Sequence, residues 1–338
     1  MNWDPVEGAH PRYSGPGPAL AWPQSPEDFQ VEEIPLYPAS GEGEHLFLFI
    51  EKRDLNTREL MDRVARTLNL DARELGHAGL KDRHAITRQW ISLPAKAAEG
   101  KLDELGDENY RLVDSKRHGN KLKPGHLAGN RFDLFLAGEA EAAFMEARLA
   151  ELRSGGLPNY FGPQRFGMRG DNHIQGKRLL EGSRKPKGGR AKLLANAWQS
   201  YLFNRVLAER VKDLAALLPG DLAWIHGKGA VFTVEDVAAE SPRALNLEIS
   251  PSGPLPGRKM SQPSAEAAEL ENRLLEECGW IPEQDRFLRG ARRPLRVPVD
   301  GLAASHEEGG WRLKFALPPG SYATALLCEL GMNAPSKE

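Results

Sequence analysis

The densest group of chemically capable side chains in the sequence is Ala78-Gly79-Leu80-Lys81-Asp82-Arg83-His84-Ala85-Ile86-Thr87-Arg88-Gln89. One carboxylate, Asp82, stands between the cations Lys81 and Arg83, behind a glycine that admits close backbone approach and ahead of a strand-like stretch. Flanking cations favour the ionised carboxylate, which suits a nucleophile and disfavours a general acid. The same Lys-Asp-Arg run equally suits a solvated turn. His84 has no role implied by its position and reads as a bystander.

Other chemistries lack their residues. Gly170-Asp171-Asn172-His173-Ile174-Gln175-Gly176-Lys177-Arg178 resembles a phosphate-binding loop, but its second glycine is one residue late and Arg replaces the magnesium-binding Ser or Thr. No GxSxG elbow and no GxGxxG occur, so no cofactor is expected. The two cysteines, Cys278 and Cys328, have no CxxC partner, and the nine histidines form no HExxH and no i,i+4 pair. A disulfide framework and a metal site are therefore not expected, and a reducing cytoplasm is the expected location. The Met1-Asn2-Trp3-Asp4-Pro5 start lacks the pattern of a signal peptide, and the longest aliphatic-aromatic run, Leu46 to Ile50, is far too short to span a bilayer.

A length of 338 residues suits two domains of ordinary size, or one large domain with an insertion. With 45 basic and 47 acidic residues the net charge is −2, which taken whole disfavours a nucleic-acid partner. The distribution says otherwise. Residues 115–131 hold Lys116, Arg117, Lys121, Lys123 and Arg131 and no acid. Residues 164–192 hold Arg165, Arg169, Lys177, Arg178, Arg184, Lys185, Lys187, Arg190 and Lys192 against Asp171 and Glu181. Residues 289–296 hold four arginines. Together the three windows carry +16 and the rest of the chain −18. Incidental loop charge is the plain reading; a phosphate-rich partner followed by Lys and Arg in Gly-rich loops is the sharper one.

The elements that must position these groups mix irregularly. Strands are predicted at Phe29 to Ile34, His45 to Lys52, Gln89 to Leu93, along the Phe132, Leu134, Leu136 alternation, at Leu222 to His226 and Ala230 to Val234, and around Trp311 to Leu317. Asn56 and Glu59 have capping-box spacing ahead of a helix to Leu70. Further helices are predicted over Ala140 to Arg153, Ala191 to Leu217 and Ala265 to Cys278, with Ser321 capping a last one to Leu330. Ser250 to Ser264 reads as a Pro/Gly/Ser loop. Without strict βαβ alternation the fold class is α+β.

Seven segments occur in an order that resembles the TruD family of tRNA pseudouridine synthases. They are Pro26-Glu27-Asp28-Phe29 with Val31-Glu32-Glu33; Gly41-Glu42-Gly43-Glu44-His45; Asn56-Thr57; Ala78 to Asp82 through Gln89-Trp90; Gly129-Asn130-Arg131-Phe132; Pro158 to Gly167; and Leu317-Pro318-Pro319-Gly320-Ser321-Tyr322-Ala323-Thr324. The resemblance covers nearly the whole chain. It implies a pseudouridine synthase catalytic domain with a mixed sheet over 1–154 and 296–338, an α+β insertion domain over 155–295, and a basic cleft between them. It also implies conversion of uridine to pseudouridine in tRNA, usually at position 13, without cofactor; a monomer is expected.

In that resemblance Asp82 is the nucleophile, and Phe29, Asn130 and Tyr322 line the pocket. Attack on the ribose, attack on the base and proton abstraction all remain open for Asp82. The family places a basic residue shortly before its Pro-Glu-Asp-Phe segment to pair with the catalytic Asp. Here that stretch is Leu20-Ala21-Trp22-Pro23-Gln24-Ser25, so Lys81 and Arg83 are the expected substitutes. Rival readings are a catalytically silent RNA-binding or RNA-folding protein on the same scaffold, and a cofactor-dependent RNA methyltransferase.

Overall fold

Continuous apolar character from Leu46 to Ile50 puts that segment inside a mixed sheet with cover on both faces. The structure is a computed structural model that describes residues 15–182 and 186–332. Its described residues fall into two compact units, Ala19–Ala140 with Asp300–Gly320, and 15–18 with Glu141–Val299 and 321–332.

The first unit contains β1 (Ala19–Leu20), β2 (Phe29–Pro35), β3 (His45–Arg53), α1 (Thr57–Leu68), β4 (Gly76–His77), β5 (Ile86–Pro94), β6 (Tyr110–His118) and β7 (Leu127–Glu139), then a hairpin of Asp300–Glu307 and Gly310–Leu317. The main path runs 300–307, 310–317, β7, β2, β5, β3, β6, with β1 on β7 and β4 on β5. β2 and β5 are parallel, which requires the intervening β3 and α1 as a crossover, and the other pairs are antiparallel. Leu46, Leu48, Ile50, Ile91 and Leu93 bury one face against Leu60, Val64, Ala65 and Leu68 of α1. The helix begins as its sequence dictates. Asn56 Oδ1 accepts from the Glu59 amide at 3.0 Å, and Asn69 ends it in the left-handed region. On the other face, salt bridges join Arg131, Glu32, Arg88, Glu51 and Arg111 in an alternating row across five strands.

The second unit holds α2 (Ala142–Gly155), α3 (Asn172–Glu181), α4 (Gly188–Arg210), α5 (Val237–Leu245), α6 (Ala265–Glu277) and α7 (Ala323–Glu329). A four-stranded sheet of 230–233, 222–225, 249–255 and 291–294, in that order, packs under α4. Helix α2 goes with α7 in this unit: the buried Arg148 guanidinium donates to the Glu329 carbonyl.

The class is α+β, as expected, but three local expectations are corrected. Residues Ile249–Leu255 form a strand where a loop was expected. Residues 249–251 pair with 223–225 and residues 252–255 with 291–294, so each half has a ladder partner on one edge, which tolerates Pro251 and Pro254. Gly253 lets this strand pass beneath α4, because a Cβ there would lie 3.1 Å from the Phe203 ring and 2.8 Å from Leu295. Helix α4 ends at Arg210, whose guanidinium turns to Asp221 at 2.7 Å, short of the expected Leu217. Ser321 does not cap α7; its hydroxyl donates to Asn159 Oδ1 at 3.0 Å.

Candidate active site and basic surface

Asp82 lies on the connection from β4 to β5. It is exposed, and its carboxylate has no hydrogen-bond or ion-pair partner among the described residues. The backbone beneath it is fixed from three elements. Lys52 Nζ of β3 donates to the Asp82 carbonyl at 2.8 Å. The Lys81 amide donates to Thr57 Oγ1 at 2.9 Å, and the Thr57 hydroxyl donates to Gln89 Oε1 of β5 at 2.8 Å. Thr57 opens α1, so the capping sequence Asn56-Thr57 starts a helix and holds the loop with one residue pair. The arrangement presents a fixed, unpartnered carboxylate to solvent.

The cations expected to serve Asp82 are engaged elsewhere. Lys81 is buried and its ammonium lies 2.7 Å from Glu33 Oε2. Arg83 lies 3.4 Å from Glu59. Burial raises the Glu33 carboxyl above its ordinary value against the opposing pull of Lys81. The cation that stands with Asp82 is Lys52, which sequence reasoning missed. It is 1% exposed and forms no ion pair within 4.0 Å among the described residues. Burial pushes its ammonium down to about 8, while the charges of Asp82 and Glu59 resist and Lys81 assists. A signal existed: Leu46, Leu48, Ile50 and Lys52 alternate on one strand, so the period that buries the leucines also buries the lysine.

Phe29 and Asn130 share the sheet face that carries Lys52. The registers Val31↔Phe132, Val31↔Thr87 and Thr87↔Lys52 form one row across β7, β2, β5 and β3. Phe29 and Asn130 flank that row at even spacing along β2 and β7. Phe29 packs edge-on against Phe132 at 6.4 Å, following a turn closed by reciprocal Ser25–Asp28 bonds. Asn130 sits within β7, not in a turn, and its Oδ1 is buried with no partner among the described residues. Such an orphaned acceptor is what a base edge would satisfy.

Tyr322 belongs to the second unit, just ahead of α7. Its ring lies 6.2 Å from that of Phe161, edge-on. Phe161 is anchored by Asn204, which accepts from its amide at 2.9 Å and donates to its carbonyl at 3.0 Å. The Arg293 guanidinium covers the Phe161 ring at 4.1 Å and donates to Asn159 Oδ1 at 2.6 Å. Burial pulls Arg293 down to about 9. The segment Pro158 to Gly167 thus builds a platform beside Tyr322, and Arg293 is a part of it that sequence reasoning missed.

The basic windows divide. Lys123, Arg169, Arg178, Lys187, Arg190 and Lys192 are exposed and form no ion pair within 4.0 Å among the described residues. Lys116 pairs with Asp114 at 3.1 Å and Arg117 with Glu99 at 3.3 Å, both on β6 and not in a flexible loop. Lys121 donates to the Arg73 carbonyl. Arg165 covers Phe161 at 5.1 Å, and Lys177 donates to the Cys278 carbonyl while covering Trp198 at 5.3 Å. Arg184 and Lys185 lie outside the described residues. The window 289–296 is corrected for three of its four arginines: Arg289 is exposed, whereas Arg292 is buried on Glu271 and Ser252, Arg296 is buried on Ser250 and the carbonyls of Gly155 and Ala244, and Arg293 is half-buried on the Phe161 platform. Those guanidinium groups hold the second unit together.

A mixed-sheet α+β fold with an exposed loop carboxylate, an aromatic and an amide on one face defines the class to which the comparisons then give a family. The model of tRNA pseudouridine synthase D (TruD) matches residues 15–186 and 190–330. The chain is 42% identical over 330 residues to tRNA pseudouridine synthase D of Anaeromyxobacter dehalogenans strain 2CP-C, covering 93% of this chain and 94% of that protein. It is 43% identical over 312 residues to a tRNA pseudouridine synthase D of Thermus thermophilus, covering 90% and 86%. A crystal structure assigned to TruD from Methanosarcina mazei superposes with a TM-score of 0.74 at 23% identity, covering 96% of each chain, which shows the fold. This chain belongs to the tRNA pseudouridine synthase D family, an isomerase family. No helix among the described residues is long and apolar enough to cross a membrane.

Proposed function

We propose that this protein isomerises uridine to pseudouridine in tRNA, at position 13, with Asp82 as the nucleophile, acting as a monomer in the cytoplasm. One observation carries the reading: in a chain of this family, Asp82 presents an unpartnered carboxylate on a backbone held by Lys52 and Thr57. The isomerisation keeps every heavy atom of the nucleoside. The glycosidic C1′–N1 bond breaks, a C1′–C5 bond forms, the C5 proton leaves to solvent and N1 gains one. Cleavage builds positive charge on the sugar, which a carboxylate beside it stabilises or traps. The target base must leave its stack to reach the carboxylate. Phe29 and Tyr322 then offer aromatic faces, and Asn130 can donate to and accept from the uracil edge. The exposed Lys123, Arg169, Arg178, Lys187 and Arg190 grip the phosphate backbone.

The test is release of tritium from tRNA labelled at C5 of uridine. Wild-type protein is expected to release it, and Asp82→Ala to bind tRNA without release. Tritium release by Asp82→Ala at the wild-type rate removes Asp82 from the chemistry. A wild type that binds tRNA and never releases tritium would instead favour a silent RNA-binding role.

A further inference from the structure

Isomerisation of uridine leaves one proton to be moved after the sugar has changed atoms. When C1′ has joined C5, that carbon still carries its hydrogen, and a base must take the proton to complete pseudouridine. C5 is then one bond from the sugar carbon that Asp82 addresses, so the base has to stand beside Asp82. The proton is bound for solvent, which suits a base in contact with water.

Most groups around Asp82 are committed elsewhere. Lys52 is buried beneath the Asp82 carbonyl, and Lys81 is buried on Glu33. Arg83, 3.4 Å from Glu59, keeps its proton and offers no acceptor. Glu59 serves that arginine and the Asn56 amide. His84 differs. It follows Asp82 by two residues in the same loop, which keeps the two Cα atoms within about 7 Å. Its side chain is 86% exposed.

The strand end that fixes Asp82 also orients His84. Lys52 and Asp54 are two positions apart where β3 ends, and they meet Asp82 and His84, two positions apart in the loop. Lys52 Nζ donates to the Asp82 carbonyl at 2.8 Å, and Asp54 Oδ1 lies 3.6 Å from His84 Nδ1. Asp54 turns the chain after Arg53 in the left-handed region, at φ 49°. The Ala85 amide donates to the Arg83 carbonyl at 2.9 Å and Ala85 is buried, so His84 is the apex of a tight turn. A carboxylate beside Nδ1 favours the tautomer with its proton there, which leaves Nε2 as the acceptor.

We propose that His84 is the general base that removes the C5 proton, with Asp54 as its positioning residue. The assignment rests on the isomerase reading above. The electron pair of the C5–H bond becomes the C5–C6 double bond, and the C6–N1 π pair moves to N1. N1 takes a proton from water, and the imidazolium returns the C5 proton to solvent. Asp82 thus serves the sugar carbon and His84 the base carbon.

The experiment measures kcat and KM for pseudouridine formation by wild type, His84→Ala and Asp54→Asn. RNAs carry either ordinary or C5-deuterated uridine, and each reaction is run with and without imidazole. Asparagine accepts the left-handed backbone at 54 while losing the charge. His84→Ala is expected to lose about one hundredfold in kcat with KM within about twofold of wild type. Its melting temperature should not change, because the side chain is exposed. Imidazole should restore about tenfold, and the deuterium effect on kcat should exceed that of wild type, because transfer from C5 then limits the rate. Asp54→Asn should lose about tenfold in kcat, with a larger deuterium effect than wild type. Wild-type kcat in His84→Ala, a loss confined to KM, or a kcat loss that neither imidazole nor deuterium alters overturns the assignment. A wild type that forms no pseudouridine in any RNA overturns the isomerase reading instead, a result visible without either variant.

Discussion

The ammonium of Lys52 donates to the main-chain carbonyl of Asp82 across 2.8 Å, from a strand residue that is 1% exposed to an exposed loop residue. This contact places a positive charge beneath the proposed nucleophile without covering its carboxylate. We propose that it stands in, from β3, for the cation absent from the stretch Leu20–Ser25. An ammonium buried without an ion pair lowers stability, and such a feature persists where function maintains it.

Lys52→Met is therefore expected to reduce kcat for tritium release by one hundredfold or more with little change in tRNA affinity, and Lys52→Arg to recover only part. The sign for stability is opposite. The folded Lys52 lies near 8 and the unfolded one near 10.5, so burial of the charge opposes folding fully below pH 8 and is relieved as pH rises through that interval. Melting temperatures from pH 7 to 10 should show Lys52→Met no less stable than wild type at pH 7. A loss of activity explained by unfolding of the variant would refute this assignment.

Activity should also report that proton. Deprotonation of Lys52 above pH 8 removes the charge beside Asp82, so the alkaline limb of kcat against pH is expected to fall with a midpoint near 8. In Lys52→Arg, whose guanidinium keeps its proton, the limb should move up by more than one pH unit.

Thr57→Val keeps shape and removes the hydroxyl that accepts from the Lys81 amide and donates to Gln89. Leaving buried groups unpaired costs about 1–3 kcal/mol, measurable by urea unfolding. Because the loop loses an anchor, kcat should fall about tenfold beyond what the stability loss explains.

For Asn130→Ala the two readouts separate differently. Asn130 Oδ1 has no internal partner among the described residues, so stability should change by less than about 1 kcal/mol. KM for RNA substrates should rise about tenfold or more, since the amide is assigned to the uracil edge. A variant that unfolds while binding RNA normally would contradict that role.

Exposed and buried cations should differ in kind. Alanine at Arg169, Arg178, Lys187 or Arg190 is expected to lower the slope of log affinity against log salt by about one unit for each phosphate no longer neutralised, with no change in melting. Glu271→Ala strands the buried Arg292 guanidinium and should destabilise by about 3–5 kcal/mol with an unchanged salt slope. Both follow from titrations of tRNA binding paired with thermal melts.

Much of this was readable along the chain. Helix α1 was legible to its cap, since Asn56 and Glu59 interact within one turn, and β3 was legible from its apolar run. The strand 249–255 was not, because its prolines are tolerated only by neighbours that change midway along it. Asp82 was legible as a carboxylate between cations, but its actual cation was not. Lys52 is thirty positions away, and only the pairing of β3 with β5 brings it beneath the loop.

The same limit explains the charge. By itself the sequence determined how many cations each window holds, which residue types stand around Asp82, and the local periods that make helices and strands. Only tertiary structure decided that Arg292, Arg293 and Arg296 turn inward while Lys187 and Arg190 stay in water. A charge is set by the residue, whereas its partner and its access to solvent are set by packing between segments far apart in the chain.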